Sequence, residues 1–151
     1  MNVKETFPPT TKRVALNTNK KVNENIEQET INNINKFKDA SFNEFTARIE
    51  ELDKEWDIER VLEVNAATIV FVTTILGFTL SIYWFILTGL VGFFLLQHAV
   101  QGWCPSLSLI RMLAVRTSEE INNEKVVLKI LRGDFENKKD DYLKLYEASK
   151  E

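Results

Sequence analysis

The sequence predicts an all-α membrane protein: a transmembrane helical hairpin of two spans, flanked by cytoplasmic and interfacial amphipathic helices and preceded by a disordered N-terminal arm. Three observations carry that prediction. From Val64 to Ile110, about 47 residues contain no Asp, Glu, Lys or Arg, in a chain that is 27% charged. One bilayer-spanning helix needs roughly 20 apolar residues, so the run has room for two. Before Pro105 its only breakers are weak ones around Ser81-Ile82-Tyr83-Trp84, where a tight turn belongs.

The remaining composition excludes other classes. A net charge of −3 and no dense Lys/Arg cluster argue against a nucleic-acid partner. One cysteine, Cys104, and one histidine, His98, leave no intrachain disulfide and no multi-ligand metal site. No metal, cofactor or catalytic constellation is expected, and the chain reads as a non-enzyme. The first forty residues lack a signal-peptide core, so the hairpin itself is expected to direct insertion.

Residues 1–25, with Pro8-Pro9 and scattered hydrophobes, bury too little apolar area to offset ordering entropy and are expected to be disordered. Between Ile26 and Lys38 a marginal helix is allowed, which makes residues 1–40 an arm. Over 41–59 an acidic amphipathic helix is predicted. Ser41 and Glu44 have capping-box spacing, and Phe42, Phe45, Ile49, Leu52 and Trp56 share one face. Its polar face is acidic, whereas a helix lying on anionic lipid is normally basic, so this one is expected to pack on protein. A coiled-coil seam is the alternative for that face.

The hairpin is assigned to 60–103. Tyr83, Trp84 and Trp103 sit where aromatic interface anchors are expected, and all 19 Lys and Arg lie on the side shared by the termini, which predicts cytoplasmic termini. A turn centred between Ile82 and Tyr83 sets facing residue numbers to sum to about 165. That register pairs Thr73 with Gly92 and Gly77 with Thr88, small residues allowing close approach in lipid. It also groups Asn65, His98 and Gln101 near the cytoplasmic end. Those three are read either as satisfying one another or as a proton or small-molecule contact.

Residues 104–116 are predicted to form an interfacial helix and 117–151 cytoplasmic helices, the first starting at Thr117 with Glu120 and stopping at Gly133. In Gly102-Trp103-Cys104-Pro105 the proline suits the first helical position, which makes Cys104 the N-cap. There the helix dipole favours a thiolate, so Cys104 is a candidate reactive thiol; its other reading is a small buried hydrophobe.

Asp57-Ile58-Glu59-Arg60-Val61-Leu62, two short spans, Gly102-Trp103-Cys104-Pro105 and Leu113-Ala114-Val115-Arg116-Thr117 together resemble the inner-membrane YgaP-like transmembrane domain, over roughly 57–117. That family comprises two-helix bacterial membrane modules, some fused to a rhodanese, which carries sulfane sulfur as a cysteine persulfide. The resemblance aligns Cys104 with the family's Cys-Pro cysteine. Members often have Gly where Ala114 stands, and a second cysteine near Ser118 is absent here. The resemblance implies a bacterial inner-membrane location. Three functions compete: a non-enzymatic, self-associating module or partner anchor; an accessory in which Cys104 exchanges persulfide with a separate sulfurtransferase; and a holin-like pore.

Overall fold

The computed structural model describes residues 7–136 and 141–150, and among these the secondary structure is helical. The helices are α1 (Arg13–Leu16), α2 (Lys20–Lys36), α3 (Phe42–Lys54), α4 (Ile58–Thr79), α5 (Trp84–Gln101), α6 (Pro105–Met112), α7 (Ser118–Arg132) and α8 (Tyr142–Lys150). They divide into two compact units, one of residues 1–24 and 56–117, the other of 25–55 and 118–151. The expectations for residues 1–6, 137–140 and 151 lie outside the described residues.

In the first unit, α4 and α5 form the antiparallel hairpin. Both are long and apolar enough to cross a membrane. At 1.5 Å per residue their 22 and 18 residues span about 33 and 27 Å, close to a bilayer core of roughly 30 Å. Most of their side chains are exposed, as the outer faces of a lipid-embedded pair must be. Four polar side chains within the span, Asn65, Thr68, Thr73 and Thr79, bond to the backbone of α4 itself. Asn65 Nδ2 donates to the Val61 carbonyl at 2.9 Å, Thr68 Oγ1 to Val64 at 2.7 Å and Thr79 Oγ1 to Ile75 at 2.8 Å. In hydrocarbon, where no water substitutes, this is the cheapest way to carry such groups.

The hairpin register differs from the predicted one. Thr73 Oγ1 and Thr88 Oγ1 are 2.7 Å apart, and Gly77 faces the Phe85 ring, where a Cβ would come within 2.8 Å. Thr73 therefore pairs with Thr88 rather than Gly92, and Gly77 with Phe85 rather than Thr88. The facing pairs centre near Ser81 rather than between Ile82 and Tyr83, although the first span closes at Leu80 as expected. Leu80 closes α4, Ser81 N–H donates to the Leu76 carbonyl, and α5 starts at Trp84. Phe78 and Phe85 meet edge-to-face across it, centroids 5.0 Å apart. A Cβ added at Gly92 would meet no atom within 4 Å, so this residue lies on the outside of the hairpin, as does Gly89.

The hairpin's base is closed by elements from both ends of the unit. Val14, Ile58, Leu62, Cys104, Leu107 and Ile110 form its core, with Val61, Phe94 and Val115 packed against them. The disordered arm expected over 1–25 is thus corrected for the described residues. Val14 on α1 is 3% exposed, and polar groups around it hold α1 in place. Arg13 Nη1 donates to the Ala99 carbonyl at 3.3 Å and Asn17 Nδ2 to that of Gln101 at 2.9 Å. These are carbonyls that the end of α5 leaves without intrahelical donors. Gly102, at φ +79°, ends α5 in the left-handed conformation, and its α-carbon lies against the Arg13 backbone.

Cys104 is the N-cap residue of α6 and Pro105 opens the helix, as predicted. Arg111, 1% exposed, donates through Nη1 to the Val115 carbonyl (3.0 Å) and through Nη2 to Asn23 Oδ1 (2.8 Å). The turn it supports contains Ala114 at φ +60°, a left-handed conformation that costs an L-residue about 1–2 kcal/mol. Glycine at that position is free of the penalty. Ala114→Gly is therefore expected to stabilise the first unit, by about 1 kcal/mol after the added unfolded-chain entropy of glycine. Denaturant titration of the two forms in detergent checks this, and an unchanged or lower midpoint contradicts it.

The second unit pairs α3 with α7. Phe45, Ile49, Leu52, Ile121 and Leu128 are buried together, with Phe37 and Ala40 alongside. The α3 apolar face thus packs on protein. Its capping box forms: the Glu44 carboxylate accepts from the Ser41 N–H at 2.7 Å and the Ser41 hydroxyl at 2.6 Å, which lowers the Glu44 pKa. The predicted helix over 41–59 ends early, at Lys54. Asp57 begins a new helix by accepting from the Arg60 N–H at 2.9 Å, so Trp56 leaves the α3 face and stacks under Arg60, 4.3 Å from its centroid.

Charges run through this unit's interior. Arg48 Nε and Nη2 donate to Glu124 Oε1 at 3.0 and 2.9 Å, and Glu124 is fully buried. Lys129 is 2% exposed and donates to the Ser149 carbonyl at 3.1 Å; burial, reinforced by the Lys125 charge, pushes its pKa down. Gly133, at φ +87°, ends α7 as predicted, and the Asp134 N–H returns to the Lys129 carbonyl. The final helix begins at Tyr142 rather than near Asp134, and Phe135 lies in a turn before it.

Candidate functional site

The polar cluster predicted from Asn65, His98 and Gln101 assembles only in part: Asn65 and His98 line one cavity, each hydrogen-bonded elsewhere, and Gln101 is not among its lining residues. Asn65 is exposed and bonded to its own helix, and the Gln101 backbone carbonyl, exposed with its side chain, serves Asn17. His98 alone of the three is buried, 4% exposed, and its partner comes from outside the charge-free block. Its Nε2 lies 3.0 Å from Glu59 Oε2. Glu59 stands in the first turn of α4, where the helix dipole favours a carboxylate. Its second oxygen, Oε1, accepts from Arg13 Nη2 at 2.8 Å.

The cause of this exchange is the register. With the helices shifted toward the turn's N-terminal side, the last turns of α5 meet the first turn of α4 instead of its second. Glu59 and His98 lie 39 residues apart in sequence, and Arg13 is a further 46 away from Glu59. None of these contacts has a local signature. The one available signal is Glu59 itself, an acid at the membrane entrance of a chain with a single histidine.

Cys104 adjoins this arrangement. The thiol is 5% exposed and lines the same cavity as the imidazole. That cavity measures about 150 Å³ and lies between α4, α5 and the start of α6. Leu62, Ile69, Phe94 and Leu95 supply apolar walls, and Asn65 and Ser106 are the polar groups beside His98 and Cys104. Glu59, a carboxylate, accepts from Nε2–H and so favours the tautomer whose Nδ1 carries a lone pair. Nδ1 is buried and, among the described residues, has no hydrogen-bond partner. The order carboxylate, imidazole, thiol is the one that nucleophilic cysteine sites use.

The remaining candidates fall elsewhere. Tyr83 and Trp84 flank the turn at 76% and 37% exposure, and Trp103 lies at the opposite end of the hairpin, 38% exposed. Thr73, Gly77 and Thr88 pack within the hairpin, whereas Gly92 does not.

The paired spans, the Glu59 entrance and the Cys104–Pro105 exit lie within one stretch of sequence. Residues 57–120 match the family model of the inner membrane protein YgaP-like transmembrane domain. The YgaP-like segment thus takes in α4, α5 and α6 whole, with the first residues of α7. No curated protein and no solved structure matches the chain. Within the YgaP-like segment lie Glu59, His98 and Cys104, while Arg13, which braces Glu59, lies outside it. The match and the two apolar helices make this a membrane protein.

Proposed function

We propose that the chain is a non-enzymatic, self-associating hairpin of the bacterial inner membrane that anchors a cytoplasmic helical unit for contact with a partner protein. The observation carrying it is the outward placement of Gly89 and Gly92 on α5, where nothing lies within 4 Å of an added Cβ. Without a hydrophobic driving force in lipid, helices associate where small residues let backbones approach, and this pair offers such a place to a second copy. The absence of Lys and Arg from the turn favours cytoplasmic termini and two passes. Exposed Val126, Val127, Ile130 and Leu131 on α7 give the soluble unit an apolar strip for a partner.

Crosslinking in native membranes tests the reading. The wild-type chain is expected to yield self-adducts, and Gly89→Leu with Gly92→Leu to reduce them at least about fivefold, as a lost close contact of about 1 kcal/mol requires. Adducts unaffected by both substitutions reject this interface. A second reading, persulfide exchange between Cys104 and a separate sulfurtransferase, is favoured by the Glu59–His98 pair with Cys104 on the same cavity. A sulfurtransferase among the adducts, lost in Cys104→Ser, supports that one.

A further inference from the structure

We propose that Cys104, His98 and the adjoining cavity form a thiol-addition site for small, uncharged, membrane-soluble α,β-unsaturated carbonyl compounds. It goes beyond the anchoring reading and does not depend on the sulfur reading, because it rests on the cavity and on a second group besides the cysteine. That group is His98, 4% exposed, lining the cavity with its Nδ1 unpartnered. Buried nitrogen lone pairs left without a donor are rare, and the neighbouring thiol supplies one when the cavity is filled.

The walls select the ligand. About 150 Å³ is the volume that takes a molecule the size of a six-membered ring. The apolar lining imposes a heavy desolvation cost on any ionised group. Ile69 and Leu95, 42% and 40% exposed, are on lipid-facing surfaces of the spans, so entry comes from the hydrocarbon phase. An addition reaction fits such a chamber because it releases no second product, unlike exchange at a disulfide or thioester.

The chemistry balances with the groups present. Nδ1 takes the thiol proton as sulfur bonds to the β-carbon, and the π electrons of the double bond move to the carbonyl to give an enolate. The imidazolium then returns the proton to the α-carbon, so nothing is oxidised or reduced and no co-reactant is needed. Glu59 is a positioning residue: it holds Nε2–H and offsets the transient positive charge, and Arg13 fixes Glu59 in turn.

The test uses the full chain in liposomes and N-ethylmaleimide as the electrophile, following Cys104 alkylation by mass spectrometry. His98→Ala is expected to slow the reaction by roughly 100-fold, the contribution of a positioned general base. Free imidazole is expected to restore much of the rate in that variant, since the vacated ring space joins the cavity. Glu59→Asp should retain more of the rate than Glu59→Ala. On the wild-type chain itself, a sulfonated maleimide should react at least about tenfold more slowly than N-ethylmaleimide, each normalised to free cysteine, because the charge does not enter the apolar chamber. Equal normalised rates for the two reagents overturn the proposal even if His98→Ala fails to fold. Equal rates in wild type and a folded His98→Ala, or no response to imidazole, overturn it as well.

Discussion

Gly102→Ala is expected to destabilise the hairpin unit by about 3 kcal/mol. Two costs combine. The left-handed φ of +79° penalises any Cβ by about 1–2 kcal/mol. The new methyl would also stand 2.7 Å from both the Cβ and the carbonyl oxygen of Arg13, and overlap with backbone is relieved only by moving α1, at a further cost of about 1–3 kcal/mol. Because Arg13 braces Glu59, the damage should spread to the thiol site. Unfolding in a graded detergent mixture measures the first effect, and alkylation of Cys104 in the folded variant the second. A shift below about 1 kcal/mol would mean that α1 yields without cost and that its contacts to Ala99 and Gln101 carry little.

Arg48→Met should cost the second unit about 3 kcal/mol. Glu124 has no exposed surface, and Arg48 supplies it with two charged donors; breaking a buried pair from one side leaves a carboxylate short of compensation. Replacing both, Arg48→Met with Glu124→Leu, should recover most of the loss, since neither charge then has to be desolvated. Hydrogen exchange of the α3 and α7 amides in the full chain reads this unit separately from the hairpin. A double variant no more stable than Arg48→Met would show that the pair contributes packing rather than charge compensation.

The hairpin is legible in the sequence because its signal is an absence, the missing charge from Val64 to Ile110, which no local ambiguity can blur. Capping residues are legible because they act locally: Ser41 with Glu44 satisfies a helix start, Pro105 after Cys104 fits the first helical position, and Gly133 ends α7, each using neighbours in sequence. The register is not. Leu80, Ser81 and Ile82 offer no sharp breaker, and a pairing centre one or two residues earlier redirects every interhelical pair, which moves Gly92 outward and gives His98 to Glu59. The order of the arm escapes a sequence reading because α1 has four residues and one buried side chain, too little for a periodicity to appear. That order comes from α5 carbonyls more than eighty residues away, contacts that composition cannot report. Gly102 does carry a readable sign, a glycine directly after an apolar helix, which marks a left-handed stop.

The fastening of α1 to the end of α5 also orders the birth of the protein. Arg13 and Asn17 leave the ribosome long before their respective partners Ala99 and Gln101 exist, the first pair separated by 86 residues. At roughly 5–20 residues per second, α1 waits on the order of 4–20 s for them. Throughout that interval α4 and α5 must form and turn back at Ser81 without it. The clasp at the hairpin's base therefore closes last, on helices already formed, and only a chain whose α5 has folded back along α4 can close it.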